Sequence, residues 1–282
     1  MAEARIREAS SADVPAAYAV LEACRLGPWF ELTLEQFQSW WPAYAGTWLA
    51  ETDHVVGYAA ARGGSVEVYV LPEKRRRGLG SRLLAKAETA AKGPRLEATA
   101  RRDEPTARPF LAGHGYVPFA ETWVMEIDLE GESRVPRWPE GFWVRTFELA
   151  DAEEVKELLD AAYAAEPDFR LYPFEGWRRF MLEDASFEPE SWFLVEAPDG
   201  SLAGAALNWK EGFVKDLVVH PAQRRRGLGE ALMLHTFAHF KARGASRVSL
   251  KTDSRNTSQA WRFYERLGMR KARTYDDYEK HR

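Results

Sequence analysis

The segment LPEKRRRGLGSRLL at 71–84 returns as HPAQRRRGLGEALM at 220–233. The likeness extends beyond this block. Ile6-Arg7 followed by Asp13 reappears as Val144-Arg145 followed by Asp151, and ARPFLAGHGY at 107–116 reappears as AWRFYERLGM at 260–269. Three blocks that recur in one order at similar spacing mark two copies of one folding unit. The length agrees, because 282 residues exceed the ~100 to 200 of a usual single domain. Between the copies, LEGESRVPRWPEG at 129–141 is rich in Pro, Gly and charge and carries no sustained period. The reading is therefore a domain at 1–130, a linker at 131–140 and a second domain at 141–282.

Within the second copy the periodicity alternates. FWVRTF opens as a strand, and 152–165 is amphipathic, with Val155, Leu158, Leu159 and Ala162 on one face. SWFLVEA, SLAGAALNW and FVKDLVVH are three β-rich runs, split by a turn at 198–200 and by Glu211-Gly212. A helical period follows from Gly227 to about Arg243 and stops at Gly244; then come RVSLKTD as a strand, a helix at 258–267 and an extended tail to Tyr278. The order β, α, β, β, β, α, β, α, β specifies an α/β class, a mixed sheet with helices on its faces.

Composition narrows the function classes. Hydrophobic residues at 45% and charged residues at 29% supply two ordinary cores, and a net charge of −4 argues against a general nucleic-acid binder. The single Cys24 cannot form an intrachain disulfide and lies on the periodic face of Val14, Ala17 and Leu21, as a core residue. The N-terminus lacks an apolar signal core, and no run approaches the ~20 apolar residues of a membrane span. A soluble, cytoplasmic protein without nucleic-acid or membrane partners is expected, with its oligomeric state open.

The glycine block carries the cofactor chemistry. At 224–229 the chain passes from a strand through a glycine turn into a helix, where unpaired N–H groups and the positive helix end face a bound anion. Gly227 and Gly229 let the backbone approach a pyrophosphate, and neighbouring arginines screen its charge. A dinucleotide fingerprint needs a third glycine where Leu232 and Leu83 stand, and a Walker loop needs Gly-Lys-Ser/Thr, which is absent. Taken alone, QRRRG and KRRRG also read as a solvated basic turn or a nucleic-acid patch. Their recurrence in register favours the cofactor loop.

A [Q/R]-x-x-G-x-[G/A] pattern after a strand and opening a helix resembles the acyl-CoA signature of the GCN5-related N-acetyltransferases (GNAT). Arg224 to Gly229 match it, and Arg75 to Gly80 match it again. The resemblance covers nearly the whole chain and implies two tandem GNAT acyl-CoA N-acyltransferase domains with acetyl-CoA as co-substrate. It places the pantetheine arm between two splayed strands, against the backbone of Leu217, Val218 and Val219. The pyrophosphate falls on Arg224, Arg225, Arg226, Gly227, Leu228, Gly229 and Glu230. In the first copy the corresponding residues are Val68, Tyr69, Val70, Arg75, Arg76, Arg77, Gly78, Leu79, Gly80 and Ser81.

Acetyl transfer needs a neutral amine, a polarised thioester carbonyl and a proton for the departing thiolate. In this family a Tyr on the helix after the fifth strand often supplies the proton, and an Asn near the helix start contacts the cofactor. NTSQAWRFYERLGM provides both as Tyr264 and Asn256. A phenol of pKa ~10 is protonated at neutral pH and can donate to a thiolate of reference pKa ~8.5. The first copy has Leu111 and Asp103 at these places, and Leu111 cannot donate a proton. The asymmetry, an active C-terminal half behind an inactive one, is similar to that of the tandem mycothiol synthases.

The acceptor, a small-molecule or peptide amine, should enter beside the first two helices of a domain. There GPWFELTLEQFQSWWPAY and PDFRLYPFEGWRRFM are aromatic, with packing as the competing role for most of these rings. Asp216 is a candidate base or amine-binding carboxylate; Glu211 and Glu196 are weaker candidates, and a water relay remains open. Lys215 beside Asp216 argues against a polycation. His235 and His239 have metal-ligand spacing, but HTFAH lacks the Glu of a zinc motif and no third ligand is evident, so no metal is expected. The rival readings are a non-catalytic acyl-CoA sensor and a salt-sensitive nucleic-acid binder.

Overall fold

The computed structural model of the chain describes residues 4–24, 32–131, 134–166, 169–256 and 259–282. Two compact units result: Val124–Ala272 forms unit two, and unit one combines the chain up to Trp123 with Arg273–Arg282. Unit one contains β1 (Arg5–Glu8), α1 (Val14–Ala23), α2 (Leu34–Trp40), β2 (Gly46–Glu51), β3 (Val55–Arg62) and β4 (Ser65–Val70). It continues with α3 (Leu79–Ala90), β5 (Arg95–Arg101), α4 (Ala107–Gly113) and the start of β6 (Val117–Asp128). The same series follows as β7 (Trp143–Thr146), α5 (Ala152–Tyr163), α6 (Phe174–Leu182), β8 (Phe193–Glu196), β9 (Leu202–Trp209) and β10 (Phe213–Val219). It ends with α7 (Leu228–Ala242), β11 (Arg247–Asp253), α8 (Ala260–Arg266) and β12 (Arg270–His281).

The sheets are mixed, as the periodicity requires. β1 to β4 pair antiparallel in sequence, and β4 meets β5 in parallel. β7 to β10 do the same in unit two, and β10 meets β11 in parallel. The order read from the sequence lacks α6. Its buried residues Trp177 and Met181 lie four apart, and a helix of 9 residues offers too little period to stand out from an aromatic loop. α7 ends where expected, with Gly244 left-handed at φ +82° and the Ala245 N–H bonded back to the Phe240 carbonyl at 3.0 Å.

One face of each sheet is sealed by the helix after the glycine block. Leu79, Leu83, Leu84 and Ala87 of α3 pack on Ala50, Ala59, Val66 and Val70, whereas Leu228 and Leu232 of α7 pack on Phe193, Val195, Ala203 and Ala206. The repeated Arg and Asp form a clamp. Arg7 grips Asp13 through two nitrogens at 2.8 and 2.6 Å and reaches Glu51 of β2; Arg145 grips Asp151 at 2.7 and 2.8 Å and pairs with Glu196 of β8. Such bidentate pairs set the register between the first strand, the second strand and the first helix.

The compact units do not divide at 131–140. From Arg273 onward β12 belongs to unit one, pairing antiparallel with β5 from Tyr275↔Arg101 to His281↔Arg95. Asp277 there accepts from the hydroxyls of Thr99 and Thr122 at 2.7 Å each. The end of β6 belongs to unit two, where the Leu129 N–H bonds the Ser246 carbonyl at 2.8 Å. Trp138, within the stretch read as linker, packs on the core of unit two. Sequence similarity follows the chain, whereas compactness follows strand pairing. Removing 273–282 should therefore expose β5: its amides are expected to exchange ~10-fold faster or more by hydrogen–deuterium exchange, with β9 unaffected. Unchanged protection of β5 would show that unit one holds without this strand.

Candidate functional site

In unit two the parallel pairing of β10 with β11 covers Phe213↔Ser249 and Val214↔Leu250 and then stops. At the same point β10 carries a bulge against β9 between Val214 and Asp216, which leaves Lys215 outside the register. Beyond it Leu217, Val218 and Val219 pair with Ala206, Ala205 and Gly204 on the β9 side. A strand that keeps one neighbour and loses the other offers main-chain groups to an extended ligand. Unit one repeats the arrangement: β4 meets β5 at Ser65↔Glu97, and Val68, Tyr69 and Val70 stay paired with Ala59, Tyr58 and Gly57. The strand residues expected to meet the pantetheine arm thus lie along both splits.

The loops after these strands share one conformation. Arg225 and Gly227 are left-handed at φ +66° and +89°, and Arg76 and Gly78 at +60° and +76°. Alternating left-handed residues turn successive N–H groups into one concavity, which then runs into the unpaired first turn of α7 or α3. A Cβ at Gly227 or Gly78 meets nothing within 4 Å, so what glycine supplies there is the backbone conformation and not space within the protein. At Gly229 a Cβ lies 3.6 Å from Phe263, and at Gly80 3.1 Å from Phe110, so α8 and α4 pack directly on the loops.

The first arginine of each run turns back into its own unit. Arg224 donates to the Val219 carbonyl at 3.3 Å and to the Ala162 carbonyl, in the last turn of α5, at 2.8 Å. Arg75 donates to the Val70 carbonyl at 2.9 Å and to Glu104 at 3.2 Å. These side chains seat the loop on the strand end. Leu228 and Leu79 are buried and anchor the helix starts. Glu230 pairs with Arg134, and the Ser81 hydroxyl lies 2.9 Å from Nε2 of His114, whose Nδ1 faces the Phe110 carbonyl at 2.7 Å.

On the opposite face of β10 a cavity of about 470 Å³ opens over Asp216. Phe169, Tyr172, Trp177 and Phe180 from the second aromatic segment wall it, together with Tyr163, Lys215 and Asn256. The Tyr163 hydroxyl donates to Asp216 Oδ1 at 2.9 Å, and Lys215 Nζ lies 3.3 Å from Oδ2. Tyr264, 9% exposed on α8, is within electrostatic reach of the same carboxylate. Burial first, and then the Asp216 charge, push the phenols of Tyr163 and Tyr264 well above their ordinary value, so both stay protonated at neutral pH. Asn256 Oδ1 accepts the Ala260 N–H at 3.4 Å, at the entry to α8.

Asp216 and Asn256 thus line this cavity together with Tyr163, which the sequence reading missed, while Tyr264 is buried outside its wall within electrostatic reach of Asp216. The signal for Tyr163 was position: it follows Leu159 by four on the buried side of α5. Glu196 is committed to Arg145, and Glu211, pushed up by burial, accepts from Ser186 at 3.1 Å; neither lines the cavity. His235 and His239 are pushed down by burial, the latter 3.2 Å from the Ser191 hydroxyl; among the described residues no group of three potential metal ligands gathers. Cys24 is buried with its Sγ 3.5 Å from the Val70 carbonyl. In unit one Leu111 is part of the core, and Asp103 pairs with Arg101. Trp29, Phe30, Pro167, Asp168, Thr257 and Ser258, from the aromatic and Asn-Thr-Ser segments, lie outside the described residues.

The profile of the Acetyltransferase (GNAT) family matches residues 14–116 and again 152–269, together well over half of the chain. The chain belongs to that family. A mycothiol acetyltransferase of Thermobispora bispora is 35% identical over 238 residues, covering 78% of each chain, and one of a Nocardioides species is 30% identical over 245 residues, covering 76% of this chain and 83% of its own. The crystal structure of a GCN5-related N-acetyltransferase from Sphaerobacter thermophilus superposes with a TM-score of 0.78 at 26% identity, over 99% of this chain and 95% of that one. A tandem GNAT protein from the clavulanic acid biosynthesis pathway shares the fold, with a TM-score of 0.73 at 19% identity over 99% and 98%. The chain is an N-acetyltransferase of tandem GNAT architecture that draws on an acyl-CoA donor. Among the described residues no helix is long and apolar enough to cross a membrane.

The two glycines of the unit-two loop should separate by mechanism. Gly227→Ala forces a side chain into the left-handed region and is expected to cost about 1 to 2 kcal/mol in denaturant unfolding. Gly229→Ala meets an ordinary contact and should leave stability within about 0.5 kcal/mol. Equal losses would refute the conformational reading of Gly227.

Proposed function

We propose that unit two transfers the acetyl group of acetyl-CoA to a primary amine of a small-molecule or peptide acceptor, by direct attack in a ternary complex in the cytoplasm. Unit one, on this reading, keeps a phosphate loop without the acid. The observation that carries the proposal is Asp216 just past the point where β10 and β11 part, with Tyr264 within electrostatic reach of it and Leu111 in the core of unit one at the matching place of the repeat. Relatives named mycothiol acetyltransferase support a small-molecule acceptor.

Each group then has a role suited to its surroundings. The main chain of Leu217, Val218 and Val219 holds the pantetheine arm and polarises the thioester carbonyl. The loop amides from Arg225 to Glu230, with Arg225 and Arg226, hold the pyrophosphate, while Arg224 positions the loop. Asn256 meets the cofactor beside α8. In unit one Val68, Tyr69 and Val70 and the loop from Arg75 to Ser81, including Arg76, Arg77, Gly78, Leu79 and Gly80, offer a second cofactor site.

Asp216 receives the acceptor ammonium, and its proton leaves to this carboxylate directly or through water. Tyr163 keeps the carboxylate oriented through its 2.9 Å hydrogen bond. The neutral nitrogen attacks the carbonyl carbon, the C–S bond breaks as Tyr264 delivers its hydroxyl proton to the sulfur, and the proton shed by the new amide nitrogen passes through water to restore the Tyr264 hydroxyl. Burial suits Tyr264 to this part, because it enters each cycle protonated.

Tyr264→Phe keeps the ring and removes the hydroxyl. Turnover should fall by ~10²- to 10⁴-fold with acetyl-CoA affinity and melting temperature little changed; a loss of a few fold in a folded variant would hand the proton to water or another residue. Calorimetry should record two CoA-binding events per chain, of which Gly229→Glu removes one and Gly80→Glu the other. A single event untouched by Gly80→Glu would make unit one purely structural.

A further inference from the structure

Successive side chains of a regular strand point to opposite faces. Leu217 and Val219 of β10 pack on the core under α7, so an unbroken strand would carry Lys215 to that face as well. The bulge between Val214 and Asp216 interrupts the alternation, and Lys215 and Asp216 both line the cavity on the other side. Unit one shows the regular case. Extending the repeat back from Leu71-Pro72 and His220-Pro221 sets Val66 against Lys215. There the β3–β4 register runs unbroken from Arg62↔Ser65 to Gly57↔Val70, and Val66 is buried in the core. In unit two, and not at the matching place of unit one, the strand turns a primary amine into the cavity.

That amine occupies the place proposed for the acceptor. Lys215 Nζ lies 3.3 Å from Oδ2 of Asp216, and the centroid of the Phe180 ring is 6.0 Å from it. A second lysine, Lys156, also lines the cavity, but it is paired with Asp160 on its own helix and its side chain is 8% exposed against 30% for Lys215. Lys215 is therefore the amine held by the carboxylate that takes the acceptor's proton. Its four-carbon stem is flexible. Its own residue lies where β10 parts from β11, two positions before the main chain of Leu217.

We infer that unit two acetylates its own Lys215, within one chain, when acetyl-CoA is bound and no acceptor fills the cavity. The step rests on the transfer proposed above for unit two and follows the same course. The Lys215 ammonium gives a proton to Asp216, and the neutral Nζ attacks the thioester carbonyl carbon. The C–S bond breaks as Tyr264 delivers its proton to the sulfur, and the proton shed by the new amide nitrogen passes through water to restore the Tyr264 hydroxyl. Asp216 returns its proton to solvent, leaving one N-acetyl-lysine and free CoA. Acetylation removes the charge of Lys215, so Asp216 loses its resident cation.

The full chain, incubated with acetyl-CoA and no added amine, is followed by peptide mass spectrometry. Lys215 should gain one acetyl group at a rate independent of protein concentration and ~10-fold or more above that of the exposed Lys86 and Lys210. Tyr264→Phe should slow the gain ~10²-fold or more. A rate equal to that of the exposed lysines, a rate that rises with protein concentration, or an undiminished rate in Tyr264→Phe overturns self-acetylation, as does acetylation of Lys156 in place of Lys215. Should Tyr264→Phe fail to fold, Lys215→Arg decides: its intact mass should show the gain lost, and an undiminished gain overturns the step. Benzylamine, a primary amine, serves as a parallel probe read by thiol release with acetyl-CoA. Unmodified Lys215 beside acetylated benzylamine overturns self-acetylation and leaves the proposed function standing, whereas a chain that modifies neither overturns self-acetylation and counts against the transfer itself.

Discussion

Everything distinctive in unit two follows from a parallel strand pair that ends after Val214↔Leu250. A continuous β10–β11 ladder would consume every main-chain group of β10 and leave nothing for a ligand to pair with. Because the ladder stops, the residues up to Val219 keep β9 as their neighbour and present the other edge. The bulge at Lys215 belongs to the same event, since it shifts the register at the position where the strands part. The glycine loop then starts at the end of the opened strand. Arg224 fastens that junction by holding both the Val219 carbonyl and the end of α5.

The two units share their scaffold and differ in the side chains set on it. The Arg–Asp–Glu clamp, the left-handed pair in the loop and the aromatic contact from the loop to the next helix all recur, as Arg7 and Arg145, Arg76 and Arg225, and Phe110 and Phe263. The neighbour of that last aromatic separates them. Tyr264 brings a hydroxyl toward Asp216, while Leu111 adds an apolar side chain to the core of unit one. One side chain, at the same place of the repeat, either carries a buried hydroxyl or fills space.

Asp216 is held from two sides. Tyr163 fixes Oδ1 and Lys215 approaches Oδ2, so the carboxylate has a defined orientation and an acceptor ammonium must compete with a resident one. The rings of Phe169, Tyr172, Trp177 and Phe180 wall the cavity and leave the carboxylate only partly exposed, which strengthens each of these interactions relative to bulk solvent.

Much of this was legible in the linear chain. The duplication, the strand–glycine–helix junction, the position of Asn256 and Tyr264, and Leu111 at the place that Tyr264 takes in the second repeat are properties of residue type and spacing, which a local pattern preserves. Short α6 escaped because few residues carry its period, and the unit boundaries escaped because strand pairing decides them. β12 closes unit one although it follows the second repeat in sequence. Tyr163 on Asp216 and the turned-back Arg224 are likewise contacts between segments far apart in the chain. The sequence by itself determined which backbone conformations and which reactive groups each repeat contains, since these depend on local chemistry. Only the tertiary structure decided which of those groups meet, because a strand's partner and a carboxylate's neighbours are set by packing across the chain.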